Sequence, residues 1–289
     1  MKTNIFIAGA CKSGTSFLHE FLGQQKDICA SNPKEPYFFE LPEGKRDEKV
    51  YFEKYFKEYN SEKYLVDGRH RNMFFSWIPQ IIYNYNKDSK IIFILRDPVE
   101  RAYSHWWMWY ARKIIKSKFH SSVKNEIIRI SEKGSQMDYT PEEYALYIKD
   151  AAPQGRIAYA DASTIVESGY YFTQISRFRS VFKENQLLII DYNEILNLDL
   201  LSKKLERFLG IELHVPPQNV LVNKAPEFAK PHFSVGKYFP RKWKKYIKSK
   251  FFKKQKIDEK SINLLKTYYV EENRKLFEEL GLEFAKKWI

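Results

Sequence analysis

Residues 6–22, FIAGACKSGTSFLHEFL, set an apolar run, a glycine, a lysine and a second glycine ahead of a helical pattern. That order of residue types suits an anion. The backbone N–H groups of Ser13, Gly14, Thr15 and Ser16 fall at a helix N-terminus, where orphan amides and the helix dipole attract negative charge. Gly14 permits close approach of backbone to a ligand, Thr15 and Ser16 add hydroxyl donors, and Lys12 adds a point charge. Triphosphate-binding loops put their lysine after the last glycine, whereas Lys12 precedes Gly14. A plain glycine turn between strand and helix is the competing reading.

A second stretch with phosphate chemistry is LRDPVERAYSHWW, residues 95–107. Arg96 carries a fork matched to phosphate oxygens, and Ser104, eight residues on, adds a hydroxyl. Together they could clamp a second phosphate remote from the first. Asp97 and Pro98 suit a helix start, and Arg101 is expected to pair with an acid. Alone, the stretch also reads as a capped helix with an exposed arginine. Asp67 and Asp97 stand at strand ends, and neither reads as the metal-holding aspartate of an ATP site, so no metal is expected.

These stretches need elements to hold them. NIFIAG (4–9), KYLVDG (63–68), KIIFILRD (90–97) and NQLLIIDYNEI (185–195) are short, apolar and β-branched, and predict buried strands. Residues from Thr15 onward, 76–85, 99–115 and 170–182 show helical spacing between them. Strands alternating with helices predict an α/β fold, with a P-loop-like parallel sheet flanked by helices and a helical C-terminal region. Ligands bind such sheets at the carboxyl ends of the strands, which singles out residues 9–15, 67–71 and 96–104. Residues 118–165 read as mixed, with a helix starting at Pro141, Glu142 and Glu143. Residues 211–240 are irregular and proline-punctuated. With no repeat or linker, 1–289 reads as one domain.

The 289 residues are long enough for a sizeable core, and 44% hydrophobic with 29% charged is ordinary for a globular chain. Lys and Arg exceed Asp and Glu by 49 to 36, a net +13 that favours anionic partners or simply reflects solvated lysine-rich faces. Cys11 and Cys29 are too few for a disulfide framework. The N-terminal apolar run is too short for a signal peptide and leads straight into the glycine–lysine loop. No stretch is long enough to span a membrane. A cytoplasmic protein is therefore expected, with the basic aromatic segment 237–256 open to peripheral contact with anionic lipid, to an acidic ligand, or to docking on the core. No nucleic-acid-binding module is recognisable.

The two phosphate stretches, in this order, resemble the PAPS-dependent sulfotransferases, specifically their heparan-sulfate-like branch and bacterial relatives. The resemblance runs through most of the chain. It implies that Lys12, Ser13, Gly14, Thr15 and Ser16 bind the 5′-phosphosulfate of the co-substrate PAPS, and that Arg96 and Ser104 bind its 3′-phosphate. NPKEPYFFE (32–40) is similar to the family's E-x-x-F-F segment, which implies Glu35 as catalytic base. SGYYFTQISRF (168–178) looks like the family's G-x-Y-x-x-x-L helix, with Tyr170 taken as the nucleotide contact, and VNKAPEFAKPHF (222–233) supplies Asn223 and Lys224 to the donor site. Two departures stand out. Tyr37 replaces a frequent histidine, and DGRHRNMF replaces the usual contacts after the second predicted strand. His70, alone of six histidines at a strand end, is the alternative base, while His19 and His105 read as packing or surface residues within helices. The implied activity is transfer of a sulfuryl group from PAPS to a hydroxyl or amine of a small-molecule or glycan acceptor, a carbohydrate or related metabolite. A nucleotide or small-molecule kinase, and a PAP-binding protein without turnover, are the alternatives.

Overall fold

The structure is a computed structural model that describes residues 2–151, 157–215 and 256–289. Its centre is a five-stranded sheet, β1 (Ile5–Gly9), β2 (Ile28–Ala30), β3 (Tyr64–Asp67), β4 (Lys90–Leu95) and β5 (Leu187–Asp191). The strands are ordered β2-β3-β1-β4-β5, and every pairing is parallel. Alternation along each strand supplies two buried faces. Ile5 and Ile7 of β1 join Ile92, Ile94 and Ile190 on one side. There they pack against Leu18, Phe21 and Leu22 of α1 (Thr15–Gly23) and Leu201, Leu205 and Leu209 of α9 (Leu198–Leu209). Phe6 and Ala8 face the other side, where Ile91, Phe93 and Leu95 meet Ile78 and Ile82 of α3 (Ile78–Tyr85) and Ile175 and Phe178 of α8 (Tyr171–Arg179). The α/β fold with a parallel sheet expected from the sequence is the fold observed.

The order of strands decides where ligands can bind. From central β1 the chain runs to β2 and β3 on one side, then crosses to β4 and β5 on the other. The loops leaving β1 and β4 therefore flank the topological switch point, the crevice used by open α/β sheets. The switch falls on the two phosphate stretches. Ala10 N–H donates to the Ile94 carbonyl at 2.9 Å, which extends the β1–β4 contact into the first loop.

Several elements differ from the sequence reading. β2 was not anticipated, because three residues at a sheet edge carry too little periodicity to stand out. β5 leads into a short 3-10 turn, Tyr192–Leu196, before α9 begins. The mixed segment holds α5 (Phe119–Lys133), α6 (Pro141–Ala151) and α7 (Ile157–Ala162). α6 does start at Pro141, with Thr140 and Glu143 each accepting the other's amide in a capping box at 3.1 and 2.7 Å. α4 (Pro98–Ala111) and α5 share a third apolar cluster with the final helix, Glu259–Glu278, through Tyr103, Trp106, Val123, Leu265 and Tyr269. Among the described residues, no helix is long and apolar enough to cross a membrane. Most of the basic segment 237–256 lies outside the described residues.

Candidate active site at the carboxyl edge of the sheet

The loop after β1 turns through Lys12 at φ +64° and Gly14 at φ +94°. A Cβ at position 14 would sit 2.4 Å from Ile195 Cδ1. Glycine is thus required by the left-handed turn and by packing beneath the loop, not by an open approach. α1 has no side-chain cap, so the first-turn amides stay open to an anion. The Ser13 amide donates to the Ala10 carbonyl at 3.2 Å, and its hydroxyl is buried. The amides of Gly14, Thr15 and Ser16 follow at the helix start. Lys12 Nζ rests 3.6 Å from Met108 Sδ, a weak acceptor, and among the described residues it forms no ion pair. Burial holds its pKa below that of a free lysine, with partial compensation from Cys11.

The β4 end is built around a cap. Asp97 accepts from the amides of Val99 and Glu100 at 2.8 and 3.0 Å and starts α4, as anticipated. Arg96 extends over the Tyr192 ring at 4.8 Å and reaches Glu100 at 3.3 Å, and Ser104 is buried on the same helix. Among the described residues, Arg101 pairs with no acid. It is wholly buried and donates to the Ile165 carbonyl, with Nη1 3.4 Å from His105 Nδ1. Tyr171, rather than Tyr170, reaches this edge, its hydroxyl donating to the Arg96 carbonyl at 2.9 Å. Tyr170 instead stacks on Tyr268 of the final helix. Tyr171 opens α8, whereas Tyr170 precedes it with φ −80° and ψ 66°, outside the helical region, so the two rings leave the backbone in different directions. Asn223 and Lys224 lie outside the described residues.

After β3 a charged network forms. Asp67, the last strand residue, is buried against the Tyr51 hydroxyl at 2.7 Å, and burial pushes its carboxyl up to about 7. That chemistry is structural. Glu35 sits at φ +70° and meets Lys34, Arg69 Nη1 at 3.2 Å and His70 Nδ1 at 2.9 Å. Arg69 also binds Glu40 and lies 4.4 Å over the ring of Tyr37, the residue in the histidine's place. On its other side, His70 Nε2 is 3.3 Å from Asp161 Oδ1. Asp161 is a hub that the sequence did not disclose. Arg71 Nη1 and Trp109 Nε1 donate to it at 3.2 Å each, and His105 Nε2 stands 3.4 Å from Oδ2. His105 is therefore no surface or simple packing residue. It is fully buried in the network and adjoins Cys11 of the first loop. His19 does pack, its ring filling the space above Gly68 and bonded to Ser31 Oγ at 3.1 Å.

Burial alone would neutralise Glu35, but His70, Lys34 and Arg69 outweigh it and hold the carboxyl well below the usual range. Burial likewise opposes charge on His70, yet Glu35, Cys11 and Asp161 raise its pKa well above that of free imidazole. At neutral pH the pair is a carboxylate beside an imidazolium. The structure thus joins Glu35 and His70, read from sequence as rivals, and links them through Asp161 to the loop of Lys12.

A parallel α/β sheet with an uncapped anion loop, a cationic strand end and a carboxylate–imidazolium pair defines a class of group-transfer site. Comparison with known proteins is specific about which one. The sulfotransferase domain family model matches residues 2–284, and the chain belongs to this family. It is 26% identical over 215 residues to the bifunctional heparan sulfate N-deacetylase/N-sulfotransferase 1 of Xenopus tropicalis, covering 72% of this chain and 22% of that protein. The Mus musculus protein of the same name matches at the same identity and coverage. The chain thus spans about a fifth of the length of these curated relatives. A sulfotransferase from Alicyclobacillus acidocaldarius shares the fold across 100% of this chain and 99% of its own, at 20% identity and a TM-score of 0.68.

Proposed function

We propose that the protein transfers a sulfuryl group from PAPS to a hydroxyl or amine of an acceptor, a carbohydrate or related metabolite. The observation that carries this reading is the pairing of an uncapped anion loop bearing an unpaired Lys12 with an ionised Glu35 on the same sheet edge. The donor groups present fit a doubly phosphorylated nucleotide. The amides of Gly14, Thr15 and Ser16 and the Lys12 ammonium would hold the 5′-phosphosulfate, and Arg96 and Ser104 the 3′-phosphate. PAPS supplies an activated sulfuryl group whose leaving group is PAP.

The residues divide the remaining work. Sulfuryl transfer, like phosphoryl transfer, depends on alignment and charge stabilisation. Lys12 neutralises the charge that grows on the bridging oxygen as the sulfur–oxygen bond breaks. Glu35 takes the proton of the attacking oxygen or nitrogen. His70 already holds its proton and has no lone pair to offer, so it orients the carboxylate, itself braced by Asp161. The heparan sulfate relatives favour a glycan amine or hydroxyl among acceptors.

The test is a donor comparison on the purified chain with a panel of acceptor glycans and amines. Label from PAPS is expected to reach an acceptor without added metal, and labelled ATP with Mg²⁺ is expected to give none. Transfer from ATP would favour a kinase. Tight PAP binding without transfer to any acceptor would favour a sensor.

A further inference from the structure

Cys11 precedes Lys12, and its thiol has no part in the reaction proposed above. Its Sγ, His105 Nε2 and a carboxylate oxygen of Asp161 lie within 4.8 Å of one another, and all three residues are buried. The guanidinium of Arg101 has only donors, and it stands 3.4 Å from His105 Nδ1. Burial opposes charge on His105, yet Cys11 and Asp161 raise its pKa, so Nε2 carries a proton. This fully buried Nε2 is near Asp161 Oδ2 but lacks the alignment of a hydrogen bond, and it lies close to the Cys11 sulfur. A protonated Nε2 argues against a metal ion, which would need that nitrogen's lone pair. Asp161 is in any case already held by His70, Arg71 and Trp109.

We propose that Cys11 is an oxidant-sensitive modification site, a thiol faced by His105 and Asp161 at the base of the anion loop, with small hydroperoxides as the reagent class. Burial raises the thiol, yet the imidazoles of His105 and His70 outweigh burial and draw Cys11 down to about 5. Cys29 is a control within the same chain. It is 6% exposed against 5% for Cys11. Burial, reinforced by Glu62 and Glu58, pushes it up to about 11. Both thiols are nearly covered, and their protonation is opposite. That cover favours a small hydroperoxide over a bulky disulfide as the reagent.

The Cys11 sulfur attacks one peroxide oxygen, an S–O bond forms and the O–O bond breaks. The thiolate is oxidised to a sulfenic acid, and the peroxide is reduced to hydroxide or alkoxide, which takes a proton from solvent. The added oxygen must fit between the loop and α4, where it displaces Lys12. Only this last consequence rests on the donor-site reading above.

The experiment treats folded protein at pH 7 with hydrogen peroxide, removes the peroxide with catalase, unfolds the protein in dimedone, a trap for sulfenic acids, and maps the adducts by mass spectrometry. Cys11 is expected to label faster than Cys29 by roughly a hundredfold, the gap in thiolate fraction tempered by the weaker nucleophilicity of a low-pKa thiol. Equal labelling, no labelling of Cys11, or one tightly held zinc ion per purified chain would overturn the proposal. In parallel, peroxide without the trap should abolish PAPS turnover in step with Cys11 oxidation, and dithiothreitol should restore it. Unchanged turnover of fully oxidised protein would refute the link to Lys12. Because labelling is read without donor or acceptor, it stands or falls independently of the transfer reaction.

Discussion

At the scale of single residues, the site rests on one lysine without an ion-pair partner and one carboxylate with several. Lys12→Ala removes the charge beside the leaving group, and turnover with PAPS should fall by roughly 10²–10³-fold, the usual loss for one such donor. Lys49→Ala is the matched control, since Lys49 is exposed and pairs only with Glu53. Wild-type turnover in a folded Lys12→Ala protein would remove this loop from the reaction. Glu35→Gln keeps the size of the side chain and its hydrogen-bonding reach, but cannot take a proton. Turnover should drop by roughly 10²–10⁴-fold with PAP affinity preserved. The pKa of His70, read by NMR, should fall in the same variant because its strongest charged partner is gone. His70→Gln should cost less, because an imidazolium orients the base and does not replace it. A dead His70→Gln beside a nearly normal Glu35→Gln would reverse the two roles.

At the scale of elements, α4 serves two neighbouring sites. Arg96 stands just before its N-terminus and Ser104 lies buried midway along it, while His105 and Trp109 reach Asp161. The fixed 3.6-residue turn separates these tasks. Arg96→Ala and Ser104→Ala should therefore weaken PAP binding while sparing 5′-AMP, which lacks the 3′-phosphate. Hydrogen bonds to charged groups contribute about 1.5–3 kcal/mol each, so calorimetry should resolve the difference. Equal losses for PAP and AMP would mean that both residues serve the helix and its cap.

At the scale of the whole molecule, buried carboxyls tie stability to pH. Asp67 has a folded pKa of about 7, above its unfolded value of 3.8, because burial opposes its charge. The folded state keeps a proton that the unfolded state releases between these values, so this group's contribution declines as pH rises through that window and levels off above it. Asp67→Asn is neutral throughout and can still accept from the Tyr51 hydroxyl. Relative to wild type, its stability in urea titrations should therefore improve from pH 5 to pH 8, by about 1–3 kcal/mol after relaxation around the site. Parallel curves for the two proteins would show that Asp67 ionises normally. Shifts shared by both, such as those of His70 and His19, cancel in the comparison.

The chain's sequence by itself determined the parts whose information is local. β1, β3 and β4 are runs buried on both faces, and β5 is an apolar run half-buried at the sheet edge, so composition alone marks them. The anion loop and the Arg96–Ser104 stretch are each continuous, and their donors follow from the end of a strand and the start of a helix. Tertiary structure decided everything that depends on phase or on distant segments. Tyr171 rather than Tyr170 faces Arg96 because the first opens α8 and the second lies just outside the helix, turned toward Tyr268. Asp161 lies in a helix with no motif, 91 residues beyond His70, and only packing of α7 against α4 and the β3 edge brings the two together. Electrostatics then completed what spacing could not show. Glu35 and His70 have separate intrinsic pKa values in the chain, but at 2.9 Å they become one ion pair, and that contact fixes which of them is free to take a proton.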